Sequence, residues 1–425
     1  MAPNSFVFAH LADAHIGAWP RDPAVRAALR SSLLAALEVV EARGAEFLLI
    51  SGDLFHTPVP DPTEVAPVAK ALRRLVDGGR RIYVIYGSHD YVAHRTSWLD
   101  VLAETGVFLK VAPEAVRAEG TRWSLPFHVD APTGARIAGI SGRSHGLDRE
   151  YFRAADSEAF RQEPGFHIFQ FHAAVDEYLP ASLREHIHGI RKDDLPAGCE
   201  YYAGGHIHCS YEGEGPGGGL LVNPGAVFGT SRTDLENALA GRTHQGVVIV
   251  RVEEGIPNAE FVETAPRDAL RLVDIDVSGK SSDEARAELR EVLERAAAPG
   301  TLVFPRVHGE LADGTAASLS LAEVARTVGH QAGSIHWDVR DLAPAASDRS
   351  GSSEGDVETR AIRELLETGE PAAPWPPGPE GEQKVRELLH ELGLPPSEGE
   401  SRQDYVAARL ESSHRILRAA RTGSG

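Results

Sequence analysis

Acidic and imidazole side chains recur in this 425-residue chain at one kind of place, directly after a short apolar run. Phe6-Val7-Phe8 leads to His10-Leu11-Ala12-Asp13-Ala14-His15, and Phe47-Leu48-Leu49-Ile50 leads to Ser51-Gly52-Asp53-Leu54-Phe55-His56. Ile82-Tyr83-Val84-Ile85-Tyr86 is followed by Gly87-Ser88-His89-Asp90. The run from Phe166 to Phe171 ends on His172, and Tyr201-Tyr202-Ala203 runs into Gly204-Gly205-His206-Ile207-His208. In extended backbone, residues i and i+2 point the same way. Asp13 with His15, and His206 with His208, can therefore each turn two ligands towards one centre. A mixed carboxylate and imidazole set suits manganese, iron or zinc and disfavours an all-oxygen magnesium or calcium site. Asp53 has two carboxylate oxygens and is the natural bridge. Two ions about 3.5–4 Å apart can clamp a phosphoryl group during in-line attack.

The elements that must position these residues follow from apolar periodicity. The runs named above, with Val247 to Val252, read as short buried strands. A helix is expected over about 24–42, with Leu29, Leu33, Leu37 and Val40 as its apolar stripe, and another over about 63–76, stopped by Gly78-Gly79. Strands and helices in this alternation make an α/β sheet domain, and open α/β sheets place ligand sites at the carboxyl ends of their strands. Glycines before Asp53, Ser88 and His206 are expected to let the chain turn sharply out of a strand.

A single D-x-H or H-x-H is a weak signal. His186-Ile187-His188 has the same pattern, but Leu183, Ile187 and Ile190 fall at helical spacing. On a helix the two histidines would stand roughly 200° apart and could not share an ion. His128, His145, His244 and His308 are likewise read as structural. Five strand-end motifs in one order carry the argument instead.

Composition narrows the class. Two cysteines, Cys199 and Cys209, exclude a disulfide framework and a four-cysteine zinc module. No stretch approaches 18 consecutive apolar residues, so no membrane span is expected. The N-terminal residues lack the basic region of a signal peptide, so a cytosolic protein is expected. The net charge of −19 argues against a non-specific nucleic-acid binder working by bulk electrostatics. It leaves room for a nuclease, which needs only a local patch. Residues 343–400 hold 13 acids and 5 bases, whereas 401–425 carries five arginines against Asp404 and Glu411.

Beyond residue 265 the texture changes. Val273, Ile275 and Val277 alternate as in a half-buried strand, and a charged amphipathic helix is expected over 282–298 with Ser282 as its N-cap. A strand at 301–307, a helix at about 318–328 and a strand at 334–339 complete a small α+β module. Segments 342–356 and 371–381 are rich in Ser, Gly and Pro, which is linker chemistry. Apolar stripes at Val385, Leu388, Leu389 and Leu392, and at Val406, Leu410, Leu417 and Ala420, mark two further helices. The expected division is 1–265, 266–341, an acidic linker region with a short helix over 342–381, and docking helices over 382–422.

The order D-x-H, GD, G-[NS]-HD, H, GH-x-H resembles the calcineurin-like metallophosphoesterases. The segments HLADAHIGAW, ISGDLFHTP and VIYGSHDY, with the later FH and GGHIH, resemble the SbcD branch, the Meiotic Recombination Eleven family of break-repair nucleases. That resemblance implies an α/β sheet sandwich flanked by helices, a small α+β capping domain and C-terminal helices. It implies two manganese ions per subunit, the first held by Asp13, His15, Asp53 and His208, the second surrounded by Asp53, Ser88, His172 and His206. His89 would stabilise the transition state or protonate the leaving oxygen, oriented by Asp90, and His56 would sit at the DNA-facing edge. Ser88 departs from the family, which commonly has Asn there, and a hydroxyl on a one-carbon stem reaches less far.

The implied activity is 3'-5' exonucleolysis on duplex DNA and endonucleolysis on single strands, by a homodimer bound to an SbcC-type coiled-coil ABC ATPase. Neither a G-x-x-x-x-G-K-[ST] loop nor a heptad seam occurs here, so ATP binding and long-range tethering are expected from that partner. Two other readings are a small-molecule phosphodiesterase or phosphatase with the same metals, and a DNA-binding scaffold with a weakened site. The module at 266–341 and the docking helices argue against the first, and intact Asp13, Asp53, His89 and His208 against the second.

Overall fold

The computed structural model describes residues 5–90, 96–112, 123–142, 148–181, 183–184, 187, 189–328, 333–345, 362, 378–394, 409, 412–413 and 415–416. His145, His186 and His188 lie outside the described residues, as do Val406, Leu410, Leu417 and Ala420 and most of the expected linker. The chain forms two compact units, one of Met1–Ile275, Glu288–Val307 and Ala322–Asp338, the other of Asp276–Ala287, His308–Leu321 and Val339–Gly425.

In the first unit, β1 (Phe6–Leu11), α1 (Pro23–Ala42), β2 (Phe47–Ser51), α2 (Pro62–Asp77), β3 (Arg81–Ile85), α3 (Trp98–Glu104) and β4 (Leu109–Lys110) come first. Next are β5 (Trp123–Ser124), β6 (Phe127–Val129), β7 (Arg136–Ile140), α4 (Asp148–Ala154), β8 (Ala155–Asp156), α5 (Glu158–Gln162), β9 (His167–Phe171) and β10 (Tyr201–Ala203). Then come β11 (Tyr211–Glu214), β12 (Leu220–Asn223), α6 (Arg232–Leu239), β13 (Gly246–Glu253) and β14 (Ile256–Glu263). One six-stranded sheet has the order β14-β13-β1-β2-β3-β4, and a second has the order β11-β12-β10-β9-β7-β6. Strands β1 to β4 run parallel, as do β7, β9, β10 and β12, while β13, β14, β6 and β11 are antiparallel additions.

The two sheets share a core of Phe8, Phe47, Leu49 and Tyr83 from the first and Ile137, Ile168, Tyr201 and Val222 from the second. The alternate residues of the first sheet, Leu48, Ile50 and Val84, pack against Leu29, Leu33 and Leu37 of α1 and Val68 and Leu72 of α2. Strands β2 and β9 are thus buried on both faces, which is why they read as unbroken apolar runs. On the outer face of the second sheet, Phe169, Phe171 and Tyr202 pack with Phe152 and Phe160. The layering is the sheet sandwich flanked by helices that the family resemblance implied. Asp22 caps α1 by accepting from the backbone of Ala24 and Val25, with Pro23 at the first helical position.

The region beyond 265 contains β15 (Leu270–Asp276), α7 (Ser282–Ala296), β16 (Leu302–Glu310), α8 (Leu321–Val328), β17 (Ser334–Ile335) and β18 (Leu342–Ala343). Two local expectations are corrected. Ser281, not Ser282, caps α7: its hydroxyl and Glu284 form the reciprocal pair at the helix start, while Ser282 Oγ donates to Asp313. The helix expected over 318–328 is two pieces, a 3-10 turn Ala316–Leu319 and α8, broken at Ser320 with φ 48°. The helix Pro379–Gly393 forms over its expected stripe, burying Val385 and leaving Leu389 and Leu392 exposed. Among the described residues, no helix is long and apolar enough to cross a membrane.

Candidate metal centre

The carboxyl ends of β1, β2 and β3 in one sheet and of β9 and β10 in the other deliver their motifs to one rim. The backbone there is unusual. Asp13 (φ 51°), His15 (φ 46°), Asp53 (φ 52°) and His206 (φ 95°) all occupy the left-handed region without being glycine. Each such residue costs about 1–3 kcal/mol and persists only where its surroundings impose it. Here Asp13 N–H donates to the Gly52 carbonyl at 3.1 Å and His15 N–H to the Asp53 carbonyl at 2.9 Å. His206 N–H donates to the Asp13 carboxylate at 2.9 Å. Of the three glycines expected to turn the chain, only Gly52 needs its φ of 89°. At Gly87 and Gly205 the requirement is space instead: a Cβ would strike the Asp53 carboxylate or the Ser51 carbonyl.

Among the described residues three groups could hold an ion: two lie on either side of Asp53, and a third, His15, His56 and His89, is at the exposed edge. In the first, Asp13, His15 and His208 bring one ligand atom each to within 4.8 Å of the others. Nε2 of His15 lies 3.1 Å from Nε2 of His208, 3.9 Å from Asp13 Oδ1 and 3.7 Å from Asp53 Oδ2. In the second, Asp53, His172 and His206 converge in the same way. His172 Nε2 lies 3.2 Å from the same Asp53 Oδ2, so Asp53 stands between the two groups. Ser88 Oγ donates to that oxygen at 3.2 Å, which places the departing residue against the bridge.

A cation fits this arrangement on the evidence of one orphaned atom. His172 Nδ1–H donates to the Ser51 carbonyl at 2.8 Å, leaving its fully buried Nε2 without a hydrogen-bond partner yet facing a carboxylate oxygen. Two electron-rich atoms so close and out of water need a proton or a metal ion between them. His15 and His208, nitrogen to nitrogen, pose the same demand. Without metal, protons fill the role. Burial pulls His172 down, but the Asp53 carboxylate outweighs it and the imidazole is pushed up to about 10. Burial likewise opposes charge on His208, and Asp234 pushes it up to about 9. Burial raises the Asp13 carboxyl to about 6 despite the nearby His172 and His208. Asp53 resists burial and is held well below the usual carboxylate range by His172 and His15.

His89 is exposed at the edge of this rim. Its backbone N–H donates to Asp53 Oδ1 at 2.8 Å and its ring Nδ1–H to the His56 carbonyl at 2.9 Å, so Nε2 is the atom left for proton transfer. The expectation that Asp90 orients His89 is corrected. The Asp90 carboxylate is buried and accepts from the backbone of Phe55 at 3.1 Å and of Gly87 at 3.0 Å. It ties together the loops after β2 and β3, and the His56 carbonyl anchors the imidazole. His56 is half-buried, with its ring stacked on His89 at 5.0 Å and its Nδ1 3.4 Å from His15 Nδ1. His128 and His244 stand apart, against Tyr83 and Phe261.

Three supporting residues escaped the sequence reading. Ser51 supplies the carbonyl that orients His172. His10, fully buried, bridges the sheets through Tyr201 Oη at 3.0 Å and Ser51 Oγ at 3.0 Å. Asp234 accepts from His208 Nδ1 at 2.9 Å. Only Asp234 had a local signal: Ser231-Arg232-Thr233-Asp234 has the spacing of a helix-capping box, although nothing in that spacing points to His208. Beside the rim, His206, His208, Asp234 and Tyr178 line a cavity of about 510 Å³.

Comparison with known proteins finds a family over the segment that carries these residues. Residues 6–210 match the calcineurin-like phosphoesterase family. The chain is 26% identical over 315 residues to the DNA double-strand break repair protein Mre11 of Archaeoglobus fulgidus, covering 70% of this chain and 67% of that protein. It is 26% identical over 205 residues to the Mre11 of Methanococcus maripaludis, covering 47% of this chain and 51% of the relative. With the Mre11 of Methanopyrus kandleri it shares 24% identity over 293 residues, covering 68% and 62%. The matches thus span about half to two thirds of these relatives. Residues 6–210, the segment that carries the strand-end motifs from Asp13 to His208, form a calcineurin-like phosphoesterase domain.

Proposed function

We propose that this protein is a manganese-dependent DNA nuclease of double-strand-break repair, of the SbcD and Mre11 kind. The observation that carries the reading is a pair of candidate ligand groups on either side of Asp53, whose Oδ2 lies 3.7 Å from His15 Nε2 and 3.2 Å from His172 Nε2, with the exposed His89 beside them. Two manganese ions per subunit fit the imidazole-rich donor set: Asp13, His15, Asp53 and His208 for the first, and Asp53, Ser88, His172 and His206 for the second. When bound, such ions polarise a phosphoryl oxygen and lower the pKa of an attacking water. The chain's own residues do the rest. Asp53 holds both sites at a fixed separation, its Oδ1 fixes the His89 backbone, and the His56 carbonyl keeps the His89 proton on Nδ1 so that Nε2 faces the chemistry. As an imidazolium, with Nε2 protonated too, His89 gives the Nε2 proton to the leaving oxygen or stabilises the developing charge, and ends as the neutral Nδ1–H tautomer; His56 contacts the substrate backbone. Asp90 holds the two loops that present Asp53 and His89.

The wider assembly belongs to the same proposal. Residues 266–341 would cap the site and contact DNA, residues 342–381 act as a linker, and helices within 382–422 dock on an SbcC-type ATPase. The active form would be a homodimer. Similarity to Mre11 proteins and the amphipathic helix Pro379–Gly393 support this arrangement. The test is hydrolysis of end-labelled duplex and single-stranded DNA in manganese, magnesium or chelator. Manganese-dependent release from duplex ends and cutting within single strands is expected. Hydrolysis of bis(p-nitrophenyl) phosphate with no cutting of DNA would reassign the protein to the small-molecule phosphodiesterases.

A further inference from the structure

Asp234 lies beside the rim without belonging to either ligand group on the two sides of Asp53. It is the third residue of α6, and its Oδ2 accepts from Thr230 N–H at 2.9 Å, Thr230 Oγ1 at 3.1 Å and Ser231 N–H at 3.1 Å. Its own N–H donates to Ser231 Oγ at 3.2 Å. The start of the helix thus clamps one carboxylate oxygen with two backbone N–H groups that cannot reverse direction, while the Thr230 hydroxyl, which can, also stands 3.3 Å from His208 Nδ1. That same oxygen lies 2.9 Å from His208 Nδ1. An ionised carboxylate only accepts hydrogen bonds, so the ring must present Nδ1–H to it, and the lone pair is left on Nε2. Nε2 is the atom 3.1 Å from His15 Nε2 in the first ligand group. Each ligand histidine of the second group is oriented otherwise: the Ser51 carbonyl holds the His172 ring, and the His206 backbone is tied to Asp13.

We infer that Asp234 is a positioning residue for the first metal, fixing the tautomer and direction of His208 through a carboxylate–histidine–metal relay. The inference rests on the dinuclear reading proposed above. Partners of this kind are worth about 10–100-fold in metal affinity. The effect should be confined to one ion, because Asp234 touches one ligand. A helix cap alone would stabilise α6 without distinguishing the sites, and Ser231 separates the two roles. Its hydroxyl closes the other half of the cap, and the hydrogen bonds of the His208 ring go to His15, Asp234 and Thr230 instead.

The test is titration of Mn2+ into the metal-free full-length chain, followed by calorimetry and by electron paramagnetic resonance of free Mn2+, with thermal unfolding in chelator as the stability control. Asp234→Ala is expected to weaken one of the two binding steps about 10–100-fold and the other by less than about 3-fold. Asp234→Asn keeps an oxygen for the cap and for His208 Nδ1–H, and should recover most of that loss. It also serves should the alanine variant fail to fold. Ser231→Ala should lower the unfolding temperature and leave both steps in place. An Asp234→Ala chain that only loses stability, with both steps unchanged or weakened equally, overturns the inference. A wild-type chain that binds no Mn2+ removes the dinuclear reading itself and this inference with it.

Discussion

Asp130 and Asp53 are both buried carboxylates, and they are opposites. Asp130 is fully buried and closed. It accepts from Arg81 Nε and Nη2 at 2.8 Å each, from Tyr83 Oη at 2.7 Å and from Thr133 Oγ1 at 2.6 Å. Its cation is a guanidinium supplied by the chain, on a backbone of ordinary φ. Asp53, on a left-handed backbone, receives a backbone N–H and a serine hydroxyl, and faces two histidine nitrogens, His15 Nε2 at 3.7 Å and His172 Nε2 at 3.2 Å, the second of which lacks a hydrogen-bond partner. Burying a charge costs several kcal/mol unless it is paired. The closed cluster meets that cost internally, whereas the open one leaves a place for cations. A buried carboxylate faced by imidazoles, which can exchange a proton for a metal ion, differs in this from one closed by a guanidinium, which cannot.

The comparison can be broken most sharply at Asp53. Asp53→Asn removes the shared charge with little change in volume, and should reduce hydrolysis by more than about 10³-fold, beyond the usual loss of one electrostatic donor. The fold should survive, as read by circular dichroism. Turnover near wild type would show that no ion depends on it. Next in size is His89→Ala, expected to cost about 10²–10⁴-fold in turnover, the scale of acid–base assistance. Manganese content should stay at the wild-type level. Loss of an ion there would make His89 a ligand.

The closed cluster predicts the converse. Asp130→Asn should destabilise the chain by about 1–3 kcal/mol and leave turnover per folded molecule unchanged. Burial works against ionised Asp130, but Arg81, Thr133 and Tyr83 outweigh it and hold its carboxyl below the usual range. A depressed folded value means the stabilisation is complete above the unfolded pKa of about 3.9 and is lost as pH falls through the folded value. Denaturant unfolding at neutral and acid pH should therefore show the gap between wild type and variant closing only under acid conditions. A gap independent of pH would assign the loss to packing.

The smallest effect sharpens the open site. Ser88→Asn lengthens the arm beside Asp53 and should raise activity at limiting manganese by a few-fold, roughly 1 kcal/mol of added binding. An unchanged metal titration would mean that Ser88 takes no part in holding the second ion.

How much of this was legible in the sequence depends on range. Strand ends were readable because continuous apolar runs stop at Asp13, Asp53, His89, His172 and His206, and both sheets turn those ends to one rim. The antiparallel strands β6 and β11 were not, since short edge strands with one polar face carry little periodicity. Asp90 sat in the right motif with the wrong task assigned, because its partners are the backbone amides of Gly87 and Phe55 and no side-chain pattern marks them. Asp234 pairs with a histidine 26 positions away, a contact only the folded sheet creates. Ser281 and Ser282 differ by one position, and only the bonds to Glu284 and Asp313 tell them apart.

The most direct measurement counts ions. Equilibrium dialysis of the metal-free chain against Mn2+, with metal read by mass spectrometry, should find two ions per wild-type chain, and fewer than two in Asp53→Asn at the same free metal. Burial of unpaired ligands also predicts that the wild type gains thermal stability on loading. A wild-type chain holding no more than one ion at saturation, or an Asp53→Asn chain holding two with unchanged affinity, would contradict the claim that Asp53 stands between a pair of metal sites.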